Sequence, residues 1–233
     1  MKLLNKKAII TGGSRGFGKE IAAHFIREGG SVSICSRNND ELDLTIKELT
    51  ANATGRQTVC GLCADVADYS RVETFVKYSV ERLGTVDCLV NNAGIYGPKG
   101  NVDEVDLDKW VLAFQINVMG VMNFCKAVIP YMKKNNGGKI INLSGGGATS
   151  PMPGVSAYAA TKAAVVRLTE TIALELKSVN IFVNAVAPGA LNTGMLDEML
   201  AEGRGKVSTA FYEKALKQKE TEIAETFRHR RMG

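Results

Sequence analysis

Lys7-Ala-Ile-Ile-Thr-Gly-Gly-Ser-Arg-Gly-Phe-Gly18 decides how this chain is read. Ala8, Ile9 and Ile10 form a short apolar run that reads as a buried strand, and glycines then crowd a turn at Gly12, Gly13, Gly16 and Gly18. Glu20 to Glu28 carries helical spacing through Ile21, Phe25 and Ile26, and the helix is expected to end near Gly29-Gly30. Strand, glycine-rich turn and helix together make a phosphate cradle. The glycines let the backbone approach a pyrophosphate, and the helix offers unpaired N–H groups and the positive end of its dipole. The spacing is Gly-x-x-x-Gly-x-Gly rather than the Gly-x-Gly-x-x-Gly of the usual dinucleotide fingerprint. Such a turn is also what a plain tight connection looks like, so its meaning depends on the rest of the chain.

Working outward from it, strand-like and helix-like segments alternate. Ser31 to Cys35, Gln57 to Cys63, Val86 to Val90, Lys139 to Leu143 and Ile181 to Val186 read as further strands. Asp40 to Thr50, Tyr69 to Leu83, Leu107 to Lys134 and Ser156 to Lys177 read as helices. This alternation predicts an α/β fold: a Rossmann-like, doubly wound parallel sheet in three layers (α/β/α), with right-handed crossovers and a single domain over 1–233. Ligands in such sheets bind outside the carboxyl ends of the strands. The unusual residues collect there: the glycine turn, Ser36-Arg37, Asp65-Val66, Asn91-Asn-Ala-Gly94, Ser144 and Pro188-Gly189. Met195 to Lys219 reads as a helical flap over a substrate, followed by a short tail, 220–233, without an apolar strand.

Composition narrows the class further. The 233 residues suffice for one sizeable core, and 45% apolar with 23% charged residues is ordinary for a soluble protein. No N-terminal apolar segment stands out and no run is expected to reach the ~18–20 residues that span a bilayer, so a cytoplasmic protein without a membrane partner is expected. Cys60-Gly-Leu-Cys63 has a zinc-like spacing, yet no second pair exists and the only histidines are His24 and His229, so no metal is expected. A net charge of +5 tolerates an anionic ligand, but outside Arg228 to Arg231 the positive charge forms no stripe, and no nucleic-acid partner is expected.

With these residues assembled, the chain from Lys6 to about Thr193 resembles the short-chain dehydrogenase/reductase family. The motifs are Thr11-Gly-Gly-Ser-Arg-Gly-Phe-Gly18, Asp65, Asn91-Asn-Ala-Gly94, Asn117, Ser144, Tyr158-x-x-x-Lys162 and Pro188-Gly-x-x-x-Thr193. The resemblance implies hydride transfer between a nicotinamide cofactor and a carbonyl or alcohol substrate, and a homodimer or homotetramer. It implies that Tyr158 is the acid/base, that Lys162 holds the nicotinamide ribose, that Ser144 bonds the substrate oxygen and that Asn117 holds a water connecting Lys162 to solvent. It also implies a nucleotide site made by Gly12, Ser14, Arg15, Gly16, Phe17 and Gly18, with Asp65 on the adenine amino group and Val66 on its ring. Asn92, Ala93 and Gly94 would lie along the cofactor, and Pro188, Gly189, Leu191 and Thr193 would meet its carboxamide and diphosphate.

The chemistry agrees with those roles. Reducing a ketone requires a hydride on carbon and a proton on the developing alkoxide. Tyr158 and Lys162 are four residues apart near the start of a helix and share one face. Lowering a tyrosine from about pH 10 to about 7 takes roughly 4 kcal/mol, which a lysine ammonium and an oxidised nicotinamide nearby could supply. An acidic residue at the end of the second strand would bond the adenosine ribose; Ser36-Arg37 stands there instead, with Arg15 in the glycine turn. Two guanidinium groups favour NADP(H) over NAD(H).

Two features depart from the family pattern. Its serine usually stands thirteen residues before the tyrosine, where this chain has Gly145; Ser144 stands fourteen before. Three glycines in a row, Gly145 to Gly147, could absorb the extra residue, which favours Ser144 as the serine, with Ser150 as the alternative. The tail also lacks the family's last strand. These two features keep open a second reading, a catalytically weak nucleotide-binding sensor or scaffold on the same fold.

Overall fold

A computed structural model describes residues 1–188, 194–201 and scattered positions from 203 to 219. Gly189, Leu191 and Thr193, named above as nucleotide contacts, and the tail 220–233 lie outside the described residues.

The chain opens with β1 (Lys7–Thr11), α1 (Gly16–Arg27), β2 (Ser31–Ser36), α2 (Asn39–Ala51), β3 (Val59–Cys63), α3 (Tyr69–Leu83) and β4 (Cys88–Asn91). It continues with α4 (Leu107–Phe114), α5 (Gly120–Lys134), β5 (Gly138–Leu143), α6 (Ser156–Leu176), β6 (Ile181–Val186) and α7 (Gly194–Ala201). The six strands form one sheet in the order β3-β2-β1-β4-β5-β6, every pairing parallel. The strand order reverses between β1 and β4, and a crevice opens at their carboxyl ends.

Strand alternation distributes the core between the two faces. On β1, Ile9 packs with Phe75, Phe124, Val128, Val165 and Ile172, which belong to α3, α5 and α6. Its neighbours Ala8 and Ile10 point the other way, onto Ala22, Phe25, Ile26, Leu42 and Leu49 of α1 and α2. All three β1 residues are fully buried, as a central parallel strand requires. At the other extreme, β6 pairs only with β5 among the described residues; Ile181 and Val183 are buried while Phe182 stays 58% exposed.

Several boundaries differ from the sequence reading for identifiable reasons. The first helix begins at Gly16 rather than Glu20, because the glycine turn runs straight into the helical first turn. The third strand begins at Val59 rather than Gln57. Gln57 is held by its side chain instead, donating from Nε2 to the carbonyls of Ile26 and Gly30 at 2.7 Å each. Helices α2, α3 and α4 start behind Asn38, Asp68 and Asp106, whose side chains accept from the first-turn amides.

The segment from Leu107 to Lys134 is helical throughout, but residues Gln115–Met119 form a π-helical turn between α4 and α5. The helix carries an 18-residue window of mean hydropathy 1.5, which corrects the expectation that no stretch is long and apolar enough to cross a membrane. With 61% of that window buried within the domain, and Phe124, Val128 and Met132 fully so, it reads as a core helix.

Candidate active site

The glycine turn and the turn after β4 are interlocked. Thr11 Oγ1 accepts from the backbone N–H groups of Asn92 and Ala93, both at 3.0 Å. Asn92 Nδ2 donates back to the carbonyls of Thr11 and Gly12 at 3.0 and 3.2 Å. Gly12 adopts φ +63°, and a β-carbon on Gly18 would lie 2.2 Å from the Gly12 carbonyl oxygen, so both positions require glycine. Helix α1 has no acidic residue in its first turn and no side-chain cap, which leaves its leading amides available to an anion.

From this cradle a cavity of about 1010 Å³ runs along the strand ends. Gly12, Ser14, Arg15, Gly16, Phe17, Ser36, Arg37, Asp65 and Val66 line one end; Asn92, Ala93 and Gly94 line its middle; Ser144, Tyr158, Lys162 and Pro188 line the other. Gly18 and Asn117 are not among the lining residues; Gly18 packs against Gly12 and Asn117 against Gly94. At the first end Arg37 is exposed and Arg15 reaches Glu198 of α7 at 3.6 Å. Ser36 Oγ donates to the Asn38 carbonyl at 2.9 Å, and Asp65 accepts from the Ala67 amide at 2.9 Å.

At the other end, the first turns of α6 bring Tyr158 and Lys162 to the cavity. Lys162 is 6% exposed; its Nζ donates to the Leu143 carbonyl at 2.7 Å and lies 5.5 Å from the centre of the Tyr158 ring. Burial lowers the lysine to about 8. Burial, followed by the neighbouring Tyr96, raises Tyr158 to about 12. Burial thus moves this phenol further above neutral pH, opposite to the lowering expected from the lysine. Tyr96 sits against it, ring centres 4.7 Å apart.

Asn117 is fixed on three sides. Its Oδ1 accepts from Ile95 N at 2.8 Å, and its Nδ2 donates to Ile95 O and to Thr161 Oγ1 at 2.9 Å each. The π turn places this buried amide between the β4 exit and α6.

Ser144 does not take the position facing the tyrosine. Its amide donates to the Val186 carbonyl at 2.9 Å, so it continues the β5–β6 ladder in register. It shares the parity of Asn142, whose amide meets Thr169 of α6 at 2.9 Å. Accordingly its hydroxyl donates to the Lys162 carbonyl at 3.2 Å. Gly145 is the residue against the phenol, where an added β-carbon would lie 2.4 Å from the Tyr158 hydroxyl. The alternation of the strand, not the slack of the glycine loop, sets these directions.

Other contributors were not singled out in the sequence. Thr161 holds Asn117, and Glu41 of α2 enters the cavity beside Ser14. The described part of the flap closes the catalytic end with apolar side chains: Leu196 and Met199 cluster with Val155, Val207 and Ala215 against Tyr96, Met152 and Tyr158. Among the described residues no group of histidines, cysteines and acids could hold a metal, and all five cysteines are free thiols.

The chain is similar to known proteins in sequence and in fold. A family model described as short chain dehydrogenase matches residues 6–203. The chain is 36% identical to a 3-oxoacyl-(acyl-carrier-protein) reductase of Thermotoga maritima, over 88% of this chain and 81% of that protein. It is 34% identical to a 2-dehydro-3-deoxy-L-rhamnonate dehydrogenase (NAD(+)) of Sphingomonas sp., over 82% and 74%. Among solved structures, levodione reductase superposes with a TM-score of 0.80 at 30% identity, covering 84% of this chain and 76% of that one. An actinorhodin polyketide ketoreductase with NADPH gives 0.77 at 33%, covering 82% and 73%. The 3-2-1-4-5-6 sheet, the glycine cradle and the tyrosine–lysine pair of α6 thus stand in a matched frame, and the chain belongs to the short-chain dehydrogenase family.

Proposed function

We propose that this oxidoreductase is an NADP(H)-dependent carbonyl reductase in which Tyr158 delivers the proton. The observation that carries the reading is Tyr158 beside the buried Lys162 at one end of a cavity whose other end carries Arg15 and Arg37. A nicotinamide nucleotide bound there supplies the hydride. The glycine turn fits such a ligand: Gly12 and Gly18 let it close tightly on the Asn92 turn, Gly16 takes φ +52°, and the open amides of α1 suit a diphosphate.

The chain's own residues handle the proton. The Tyr158 hydroxyl donates to the substrate oxygen as negative charge develops on it. Lys162, lowered to about 8 yet mostly protonated at pH 7, stabilises the phenolate left behind. Its bond to the Leu143 carbonyl keeps the ammonium beside the ring, and the Ile95–Asn117–Thr161 bonds hold the wall it packs on. With Gly145 in place of a hydroxyl-bearing residue, the substrate oxygen relies on Tyr158 for its main hydrogen bond. The apolar lid of Leu196, Met199 and Met152 favours a carbonyl compound with an apolar body.

Arg15 and Arg37 support NADP(H), since guanidinium groups pair with phosphate. The relatives support either nucleotide, one being named for NAD(+) and one solved with NADPH. Fluorescence titration of NADPH and NADH against wild type and Arg37→Ala tests the reading. NADPH is expected to bind tighter, and Arg37→Ala to weaken NADPH about tenfold or more while NADH changes little. A carbonyl panel should then reveal NADPH oxidation; absence of binding by either nucleotide would overturn the proposal.

A further inference from the structure

Arg15 and Arg37 are both cations, but the fold also brings a carboxylate to the same end of the cavity. Glu41 lies in the first turn of α2, whose N-cap Asn38 accepts from the Glu41 amide at 3.1 Å. At this place in a capping box a glutamate turns its carboxylate back to the N-cap amide. Glu41 instead accepts from the Ser14 hydroxyl at 3.4 Å, across from its helix and inside the glycine turn. Ser14 is itself buried, with its carbonyl accepting from Thr45 Oγ1 at 2.7 Å. Half-buried, Glu41 therefore lines the cavity with Ser36, Arg37 and Asn38.

The geometry points to Glu41 as a determinant of nucleotide choice, opposing the two arginines at the adenosine ribose. This inference rests on the cavity being a nicotinamide-nucleotide site. A carboxylate there accepts hydrogen bonds from ribose hydroxyls and repels a ribose phosphate, whereas a guanidinium attracts the phosphate. The family's usual place for an acid is the end of β2, where this chain has Ser36-Arg37. Here the acid comes from the next helix and is positioned by a hydrogen bond to the phosphate-binding turn. Wild type carries both signs of charge at this end and therefore discriminates between NADPH and NADH less sharply than its arginines alone would.

Dissociation constants of NADPH and NADH, measured by fluorescence for wild type, Glu41→Gln, Glu41→Asp and Arg37→Ala, test this without turnover. Glu41→Gln is expected to tighten NADPH about tenfold, the size of one unit charge removed near a partly exposed phosphate, and to leave NADH equal or slightly weaker. Glu41→Asp, which keeps the charge, should stay near wild type and covers the case in which the glutamine variant folds poorly. An unchanged NADPH/NADH ratio in Glu41→Gln, with Arg37→Ala still weakening NADPH, overturns the role of Glu41 and leaves the site standing. Equal weakening of both nucleotides would make Glu41 a support for Ser14 and also overturns it. No binding to wild type overturns both the inference and the site.

Discussion

The two ends of the cleft are built by different means. At the glycine-turn end the surface is mostly backbone: Gly12 and Gly18 matter for the side chains they lack, and the Thr11–Asn92 bonds hold two turns together. At the Tyr158 end everything depends on where side chains point, with Tyr158 against Gly145, Lys162 on the Leu143 carbonyl and Ser144 on the Lys162 carbonyl. A backbone site tolerates variation in its neighbours and can be recognised by spacing. A side-chain site is only as good as the packing that aims it.

The sharpest way to break this contrast is Tyr158→Phe. It should cut turnover by about 10²–10⁴, the contribution of a positioned general acid, while the NADPH dissociation constant stays within about twofold. A matching loss of binding would show that the two ends are not separable.

A second test uses the buried lysine. Lys162 is lowered to about 8 in the folded protein from an ordinary value of 10.5, so the unfolded chain holds its proton more tightly. The lysine's own contribution to stability should therefore rise as pH climbs from 8 toward 10, by about 2 kcal/mol. The buried thiols of Cys35, Cys88 and Cys125, raised from 9 to about 12, and Tyr158, raised from 10 to about 12, hold their protons more tightly when folded and pull the other way above pH 9. Urea melts of wild type and Lys162→Met across pH 7–11 isolate the lysine: the stability of wild type relative to the variant should rise between 8 and 10.

Gly145→Ala probes aim alone. The backbone there is extended at φ −179°, which any residue adopts, so the only obstacle to a methyl group is the phenol 2.4 Å away. Displacing Tyr158 should lower turnover by about tenfold to a hundredfold without touching NADPH affinity. Gly146→Ala, whose β-carbon would meet nothing within 4 Å, is the silent control.

The smallest effect is expected from Gly18→Ala, which acts on the other end. A methyl there meets the Gly12 carbonyl oxygen and Asn92 Nδ2 at 2.2 and 2.5 Å. Nucleotide affinity should fall about tenfold and the melting temperature by a few degrees, since overpacking costs about 1–3 kcal/mol. Turnover at saturating nucleotide should be less affected than affinity.

Local signals were readable where local physics decides. Tyr69–Leu83 and Ile181–Val186 come out at the boundaries their periodicity predicts, one bounded by Asp68 and Gly84, the other by a left-handed Asn180. The π turn at Gln115–Met119 escaped the reading, because one extra residue in a helical turn leaves the apolar spacing on either side intact. Glu41 is not legible either, since its contact with Ser14 joins the first turn of α2 to the glycine turn across 27 residues. Ser144 lines the cavity as its place in the sequence suggests, but that its hydroxyl bonds the Lys162 carbonyl and that Gly145 lies against the phenol follow from sheet register, which loop length does not reveal.

The sequence by itself determined the alternation of strands and helices, the cradle that needs glycine and the order in which the site residues occur. Those follow from periodicity and backbone sterics, which act within a few residues. Only the tertiary structure decided that Ser14 meets Glu41, that Thr11 meets Asn92 and that Gly145 rather than Ser144 faces Tyr158. Such meetings join distant parts of the chain, and their geometry is set by sheet register and helix packing, which no local stretch encodes alone.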